Sequence, residues 1–362
     1  MRLLFLLEDY CYFYTQGAPS PDFEAESYDD KLQRLLSHFF YYGNSYDHAF
    51  SALGHECATV VPHCRVLQQS WARDHGLAGL TEGDFVNTGW REILLAQIER
   101  FRPDVVFFFS GVWPDEALLQ AARPSVRLFA LQWSCRLWPG FPYAAFDVAF
   151  SSLPRLVDYF RGQGLVAQQI THSFDARLIE HVVAPDQFHG AVFVGTLWKL
   201  SAYRNEVVER LAASIDGFDV YAPDLDIVPA SSPIWARYKG TAFGLDMYRA
   251  YAEAGVAVHV AGDEVRDFAG ARRHFEIAGS GALLMTEAQP GLDRLFEPGK
   301  EAVTFENADD CVDKVRYFLS HPAEAKEVAR AGQARVLRDH SADALAKRIE
   351  PVLLSNPRSG RS

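Results

Sequence analysis

The sequence predicts an α/β protein built from two doubly wound parallel sheets. Three observations carry that reading. A length of 362 residues exceeds one ordinary core and fits two domains. Short apolar runs such as residues 105–109 alternate with segments of helical spacing such as residues 90–101. Buried parallel strands joined by crossover helices produce that alternation. The pattern then breaks and restarts near residue 190.

In the first half, residues 2–7 form an apolar strand and residues 31–53 have helical spacing that stops at Gly54. Residues 57–61 read as the next strand, followed by a helix at 90–101, a strand at 105–109 and a helix at 114–122. Strands at 126–132 and 148–151 and a helix at 154–163 complete the half. In the second half, strands are expected at 190–194, 218–221, 256–260 and 282–285. Helices are expected at 201–213, 245–253, from 272, at 311–319, 322–339 and 341–354. The expected domains are residues 1–180 and 188–338, with a terminal helix at 341–354 and a frayed tail at 355–362.

Composition narrows the function. Hydrophobic residues at 49% and charged residues at 23% exclude a disordered or low-complexity chain. With 47 acidic against 35 basic side chains, the net charge of −12 argues against nucleic acid and anionic membranes as partners. The five cysteines are scattered without a Cys-x-x-Cys pair, so neither a disulfide framework nor a zinc site is expected. The apolar run at residues 3–7 is too short for a signal-peptide core or a membrane span, so a cytoplasmic protein is expected.

Ligands of open parallel sheets bind beyond the carboxyl ends of the strands. The strand at 190–194 delivers Gly195 and Thr196, then Lys199 and Arg204. A glycine there admits a close backbone approach, the next helix offers amides to an anion, and the cations suit a diphosphate. The alternative is a tight turn with surface cations. Glu276, early in the helix from Arg272, has the position of a carboxylate that accepts ribose hydroxyls. It equally fits an acidic residue favoured near a helix N-terminus. His259 ends a strand and reads as either a site or a core residue. Asp224 and Asp226 have Asp-x-Asp spacing but fall in a Pro-rich connection, so no metal site is expected.

Residues 272–339 resemble the C-terminal part of glycosyltransferases with two facing Rossmann-like domains and a cleft between them, the GT-B architecture. The likeness is nearest the group-one, spore-coat-maturation type. It rests on Arg273-x-Phe275-Glu276, the turn Gly279–Ala282, and Leu295-Phe296-Glu297-Pro298-Gly299. His321-Pro322 and Ala331-Gly332-Gln333 add to it. Phe193-Val194-Gly195-Thr196, Gly54-His55-Glu56 and Arg102-Pro103-Asp104 are similar to other parts of that family.

The resemblance implies a nucleotide diphosphate-sugar donor on the C-terminal domain and a hydroxyl acceptor, such as a glycan or glycoconjugate, on the N-terminal one. Glu276 would hold the ribose, Arg273 would lie near the phosphates, and Gly195, Thr196 and Lys199 would line them. Tyr238, Lys239 and Gly240 would pass the base. No cofactor and no metal are implied. In the acceptor domain the strand ends deliver Glu8 and Asp9, Ser110, Gly111 and Trp113, and Trp133 and Arg136. Glu8, Asp9 and Asp115 are the candidate bases by position. The terminal helix would cross back to the first domain.

The chain departs from the family at two points. Phe268 stands where related retaining enzymes carry a first glutamate, and Ala271 stands where they carry an asparagine. Retention and inversion both stay open. Two functions follow: transfer of a sugar from a nucleotide diphosphate donor, or nucleotide-sugar or glycan binding without catalysis. A nucleotide-sugar epimerase is a third, minor reading.

Overall fold

The computed structural model describes residues 1–8, 25–81, 89–182, 188–199, 201–263 and 266–355. The chain divides into two compact units, one of Met1–Ile170 with Leu345–Ser362 and one of Thr171–Ala344.

The first unit holds a six-stranded parallel sheet in the order β2-β1-β3-β4-β5-β6. Its strands are β1 (Arg2–Leu6), β2 (Glu56–Val60), β3 (Val105–Phe109), β4 (Leu128–Gln132), β5 (Val148–Ser151) and β6 (Val166–Gln169). All five residues of β3 and all five of β4 are buried, because helices cover both faces of a parallel sheet. Aromatic rings fill one side: Phe5 lies 5.7 Å from Phe107, and Phe107 stacks on Phe150 at 5.8 Å.

The second unit holds a five-stranded parallel sheet in the order β11-β10-β9-β7-β8. Its strands are β7 (Gly190–Val194), β8 (Phe218–Tyr221), β9 (Gly255–His259), β10 (Leu283–Glu287) and β11 (Val303–Phe305). Val207, Val208 and Leu211 of the Ala202–Ser214 helix pack with Phe193, Val220 and Val258 of the sheet.

Several elements differ from the sequence reading. The expected helix at 31–53 is two helices, Tyr28–Leu36 and Ser45–Ala52. Between them Phe39, Tyr41 and Gly43 take positive φ values of 52°, 53° and 48°, which no helix continues through. The Arg65–Asp74 helix, β6 and β11 carry no strong sequence signal: β6 has one buried position in four, and β11 is three residues long. Cys64 is disulfide-bonded, contrary to the cysteine reading, while Cys57, Cys135 and Cys311 are free. No described helix is long and apolar enough to cross a membrane.

The second unit starts earlier than expected, at Thr171. Phe174 donates its amide to His340 and accepts from Ala342, both at 2.9 Å. Its ring lies under Gly279, where a Cβ would come within 2.5 Å of it, so only glycine fits. The last helix, Ala342–Leu354, passes to the first unit's residues from Leu345 onward. Leu345, Ile349 and Leu353 are each fully buried. Glu350 meets His55 at 2.7 Å, and the Arg127 Nη2 donates to the Leu353 carbonyl at 2.7 Å.

Those contacts make the last helix part of the first unit's core. Ile349→Ala is expected to cost about 2–5 kcal/mol, read as a lower urea midpoint at unchanged slope. A midpoint equal to the parent's would contradict this packing.

Candidate functional site

The strongest polar cluster lies at the start of the Arg272–Gly279 helix. Helical spacing of three and four residues puts Arg272, Arg273 and Glu276 on one face. The Arg272 Nη2 lies 3.0 Å from Glu276 Oε1, and the Arg273 Nη1 lies 2.5 Å from Oε2. The Tyr248 hydroxyl donates to Oε1 at 3.3 Å. The Glu276 side chain is only 2% exposed. Burial works to raise its pKa, but Arg272 and Arg273 outweigh that and hold the carboxyl below the usual carboxylate range. Glu276 is therefore a buried, charged clamp. The ribose contact that the resemblance implies would join a carboxylate that already holds three partners.

Ala271 is the N-cap of this helix and makes no side-chain cap bond, the job an asparagine does well there. Phe268, in the place of the family's first glutamate, packs its ring against Gly291.

Arg204 ties two strand ends together. Its Nε donates to the Val260 carbonyl at 3.0 Å and its Nη1 to the Thr196 carbonyl at 2.9 Å. Arg204 and Arg273 lie near enough for the charge of Arg273 to act on Arg204. Between these groups His259 is buried beside His274, ring centroids 4.6 Å apart, with its Nε2 unpartnered. Burial first, then His274 and the two arginines, hold His259 well below the usual histidine pKa. His274 donates or accepts through Nε2 with Thr286 at 3.0 Å.

Other predicted donor residues have structural partners. The Gly195 amide donates to Tyr221, while Thr196, Lys199 and the neighbouring Trp198 are exposed. The first amide of the Ala202–Ser214 helix, expected to greet an anion, donates to Asp263 at 3.0 Å. A phosphate there would meet a carboxylate as well as the amides. The segment from Arg237 to Gly240 runs along β8 as an added edge, with Lys239 donating its amide to Val220 and Ala222 donating to Gly240. Tyr238 donates its hydroxyl to Ala222 and Lys239 pairs with Asp219 at 3.4 Å. The sequence reading missed Glu287, which accepts from the Ala261 amide at 2.6 Å and from Arg266 at 2.8 Å. Its only sequence signal is an acidic residue at the end of an apolar strand.

The first unit gathers its candidates at the ends of β1, β3 and β4. Glu8 sits against Gly111: a Cβ on that residue would fall 2.2 Å from the Glu8 carboxyl carbon, and its φ is +101°. Gly111 is thus needed for Glu8 to lie across the end of β3. Ser110 shares a 2.9 Å hydrogen bond with Tyr41, a partner that its sequence position does not suggest. Trp113 is 43% exposed and lies 5.2 Å from Trp138, itself 40% exposed. The Arg136 guanidinium lies over the Trp138 ring at 4.9 Å. Trp133 is buried, its indole N–H donating to the Arg136 carbonyl, so it floors this patch and does not face a ligand. Asp115 is spent on structure: it caps the Glu116–Ala122 helix through Leu118 at 2.8 Å and pairs with Arg91 at 2.9 Å. Asp9 lies outside the described residues. Among the described residues no three His, Cys, Asp or Glu side chains are grouped to hold a metal ion.

Residues 204–350 match a family model described as Glycosyl transferase-like. The fold is shared with solved structures along nearly their whole length. A glycosyltransferase from Rickettsia africae is 11% identical with a TM-score of 0.60, covering 97% of each chain. AviGT4, a glycosyltransferase involved in avilamycin A biosynthesis, is 14% identical with a TM-score of 0.59, covering 99% of this chain and 98% of that one. Anabaena HepE, solved in complex with UDP-glucose, is 13% identical with a TM-score of 0.58, covering 98% and 99%. No curated protein matches the sequence. The architecture, two units each with a doubly wound parallel sheet, is the GT-B fold of glycosyltransferases.

The buried histidines set a pH dependence. Burial lowers the His274 pKa from 6.5 to about 4. A depressed folded-state pKa gives stability that is present above the unfolded value and lost as pH falls through the folded one. His274 should therefore contribute up to about 3 kcal/mol that disappears between roughly pH 6.5 and pH 4. In urea titrations across that window His274→Asn should flatten the loss; a parallel decline in parent and variant would refute the assignment.

Proposed function

We propose that this chain transfers a glycosyl group from a nucleotide diphosphate-sugar to a hydroxyl acceptor, without a metal. The observation that carries the reading is the buried Glu276 carboxylate holding Arg272 and Arg273, near Arg204, within the segment that matches the family model. The leaving diphosphate gathers negative charge as the glycosidic bond breaks, and fixed cations stabilise that charge without reorganising. Arg273 and Arg204 are the cations for that task, and the exposed Thr196 and Lys199 lie on the same strand-end loop of the second unit. That HepE was solved with UDP-glucose supports a uridine nucleotide as the first donor to try.

The acceptor binds at the strand ends of the first unit. Trp113 and Trp138 offer apolar ring faces on which a sugar ring packs, and Arg136 orients a polar substituent. Glu8 is the base that takes the acceptor hydroxyl's proton as the new glycosidic bond forms. With Phe268 in place of a glutamate, a second reading is binding without turnover.

A panel of nucleotide sugars, with and without glycan acceptors, decides between the two. Slow donor hydrolysis that acceptors accelerate supports transfer, and binding without any turnover supports the second reading. In an active preparation Glu8→Gln should lower kcat by roughly 10²–10⁴ with donor affinity unchanged. An unchanged kcat would remove Glu8 from the chemistry.

A further inference from the structure

A notch opens beside Gly262, in the loop after β9 of the second unit. Gly262 does not take a positive φ, so its backbone does not call for glycine. Space does. A Cβ there would stand 3.3 Å from Arg204 Nη2 and 3.7 Å from Ser201 Oγ. Two polar atoms therefore converge on the point that the missing side chain leaves open.

Both atoms are uncommitted. Ser201 is the N-cap of the Ala202–Ser214 helix and only 3% exposed, yet its side chain makes no cap bond. A serine at that position ordinarily accepts from an amide of the first turn. Here the hydroxyl has no partner and, unlike His259 Nε2, it is not sealed from solvent. Arg204 spends Nε on the Val260 carbonyl and Nη1 on the Thr196 carbonyl, which leaves Nη2 over.

Charge decides what fits the notch. Among the described residues no carboxylate forms an ion pair with Arg204. Asp263 and Glu287 act on it from farther off, and burial together with Arg273 outweighs them and lowers its pKa. A half-buried guanidinium held by carbonyls alone lacks a counter-charge. A neutral hydroxyl in the notch would not supply one, whereas an anionic oxygen would. The neighbouring amide, Ala202, is already taken by the exposed Asp263 at 3.0 Å.

We propose that the Gly262 notch seats one phosphate of the donor, and that Asp263 holds the neighbouring amide until that phosphate displaces it. One phosphate oxygen accepts from Arg204 Nη2 and from the Ser201 hydroxyl. As Asp263 leaves, the Ala202 amide becomes a third donor. The seat rests on the reading of the second unit as the donor site, and it adds Ser201, Gly262 and Asp263 to the residues of that reading.

Calorimetric titrations of the full chain with UDP, uridine and inorganic pyrophosphate test the seat. Ser201→Ala removes a hydroxyl that makes no bond in the free protein, and Gly262→Ala fills the notch. Each should weaken UDP and pyrophosphate about tenfold, the loss of one hydrogen bond to a charged group, with melting temperature and uridine binding unchanged. Asp263→Asn keeps an acceptor for the Ala202 amide but removes the like charge. It should tighten both anions about fivefold, the scale of one like charge at close range in water. If Gly262→Ala does not fold, the other two variants carry the test. UDP affinity that the substitutions leave unchanged, weaker UDP binding by Asp263→Asn, or losses shared equally by uridine would overturn the seat and leave the donor reading in place. Pyrophosphate binding that follows the substitutions while UDP fails to bind would support the seat and overturn the nucleotide donor. No binding of either anion would overturn both.

Discussion

The second unit is organised around one ion cluster. Glu276 is buried with its charge intact because Arg272 and Arg273 each reach one of its oxygens and Tyr248 adds a hydrogen bond. A buried carboxylate without partners is among the costliest groups a core can hold, and removing one member of such a set leaves the others uncompensated. The cluster therefore fixes the first turns of the Arg272–Gly279 helix and the direction of both guanidinium groups. From there its influence reaches further by charge. Arg273 bears on Arg204, Arg204 braces the loops after β7 and β9, and the depressed His259 stays neutral between them. A set of cations held in advance is what a leaving diphosphate needs.

The first unit solves a different problem. Its sheet is packed by aromatic rings, and two tryptophans surface where β3 and β4 end. Trp113 and Trp138 stay exposed because Trp133, Phe141 and Tyr143 fill the space beneath them. Glu8 reaches the same rim only because Gly111 has no side chain. One unit thus offers fixed positive charge and the other offers ring faces beside a carboxylate.

The parallel strands were legible in the sequence wherever a strand is buried on both faces. β3 and β7 fall within the expected residues because nothing but an uninterrupted apolar run packs there, and β8 was legible instead from its alternation of buried and half-buried positions. Elements at the margins were not legible: β6 is half exposed, β11 is short, and the break at residues 37–44 depends on left-handed residues that include Phe39 and Tyr41, not glycine alone. For the site, the family resemblance brought Arg273 and Glu276 together in one Arg-x-Phe-Glu motif. It did not reveal that the glutamate faces inward to the arginines, since that depends on Tyr248 and Met247 from the preceding helix. Asp115 looked like a free carboxylate until its cap and Arg91 came into view. Such partners lie far along the chain and leave no local signature.

In the proposed donor site Glu276 acts through the arginines it holds and not on the ribose. Calorimetric titration of the parent and of Glu276→Gln with UDP and with uridine tests it directly. The substitution is expected to weaken UDP by about tenfold or more, the loss for a displaced charged partner, and to leave uridine unchanged. Equal weakening of both ligands would show that the carboxylate binds the ribose itself, and unchanged UDP affinity would show that the cluster has no part in donor binding.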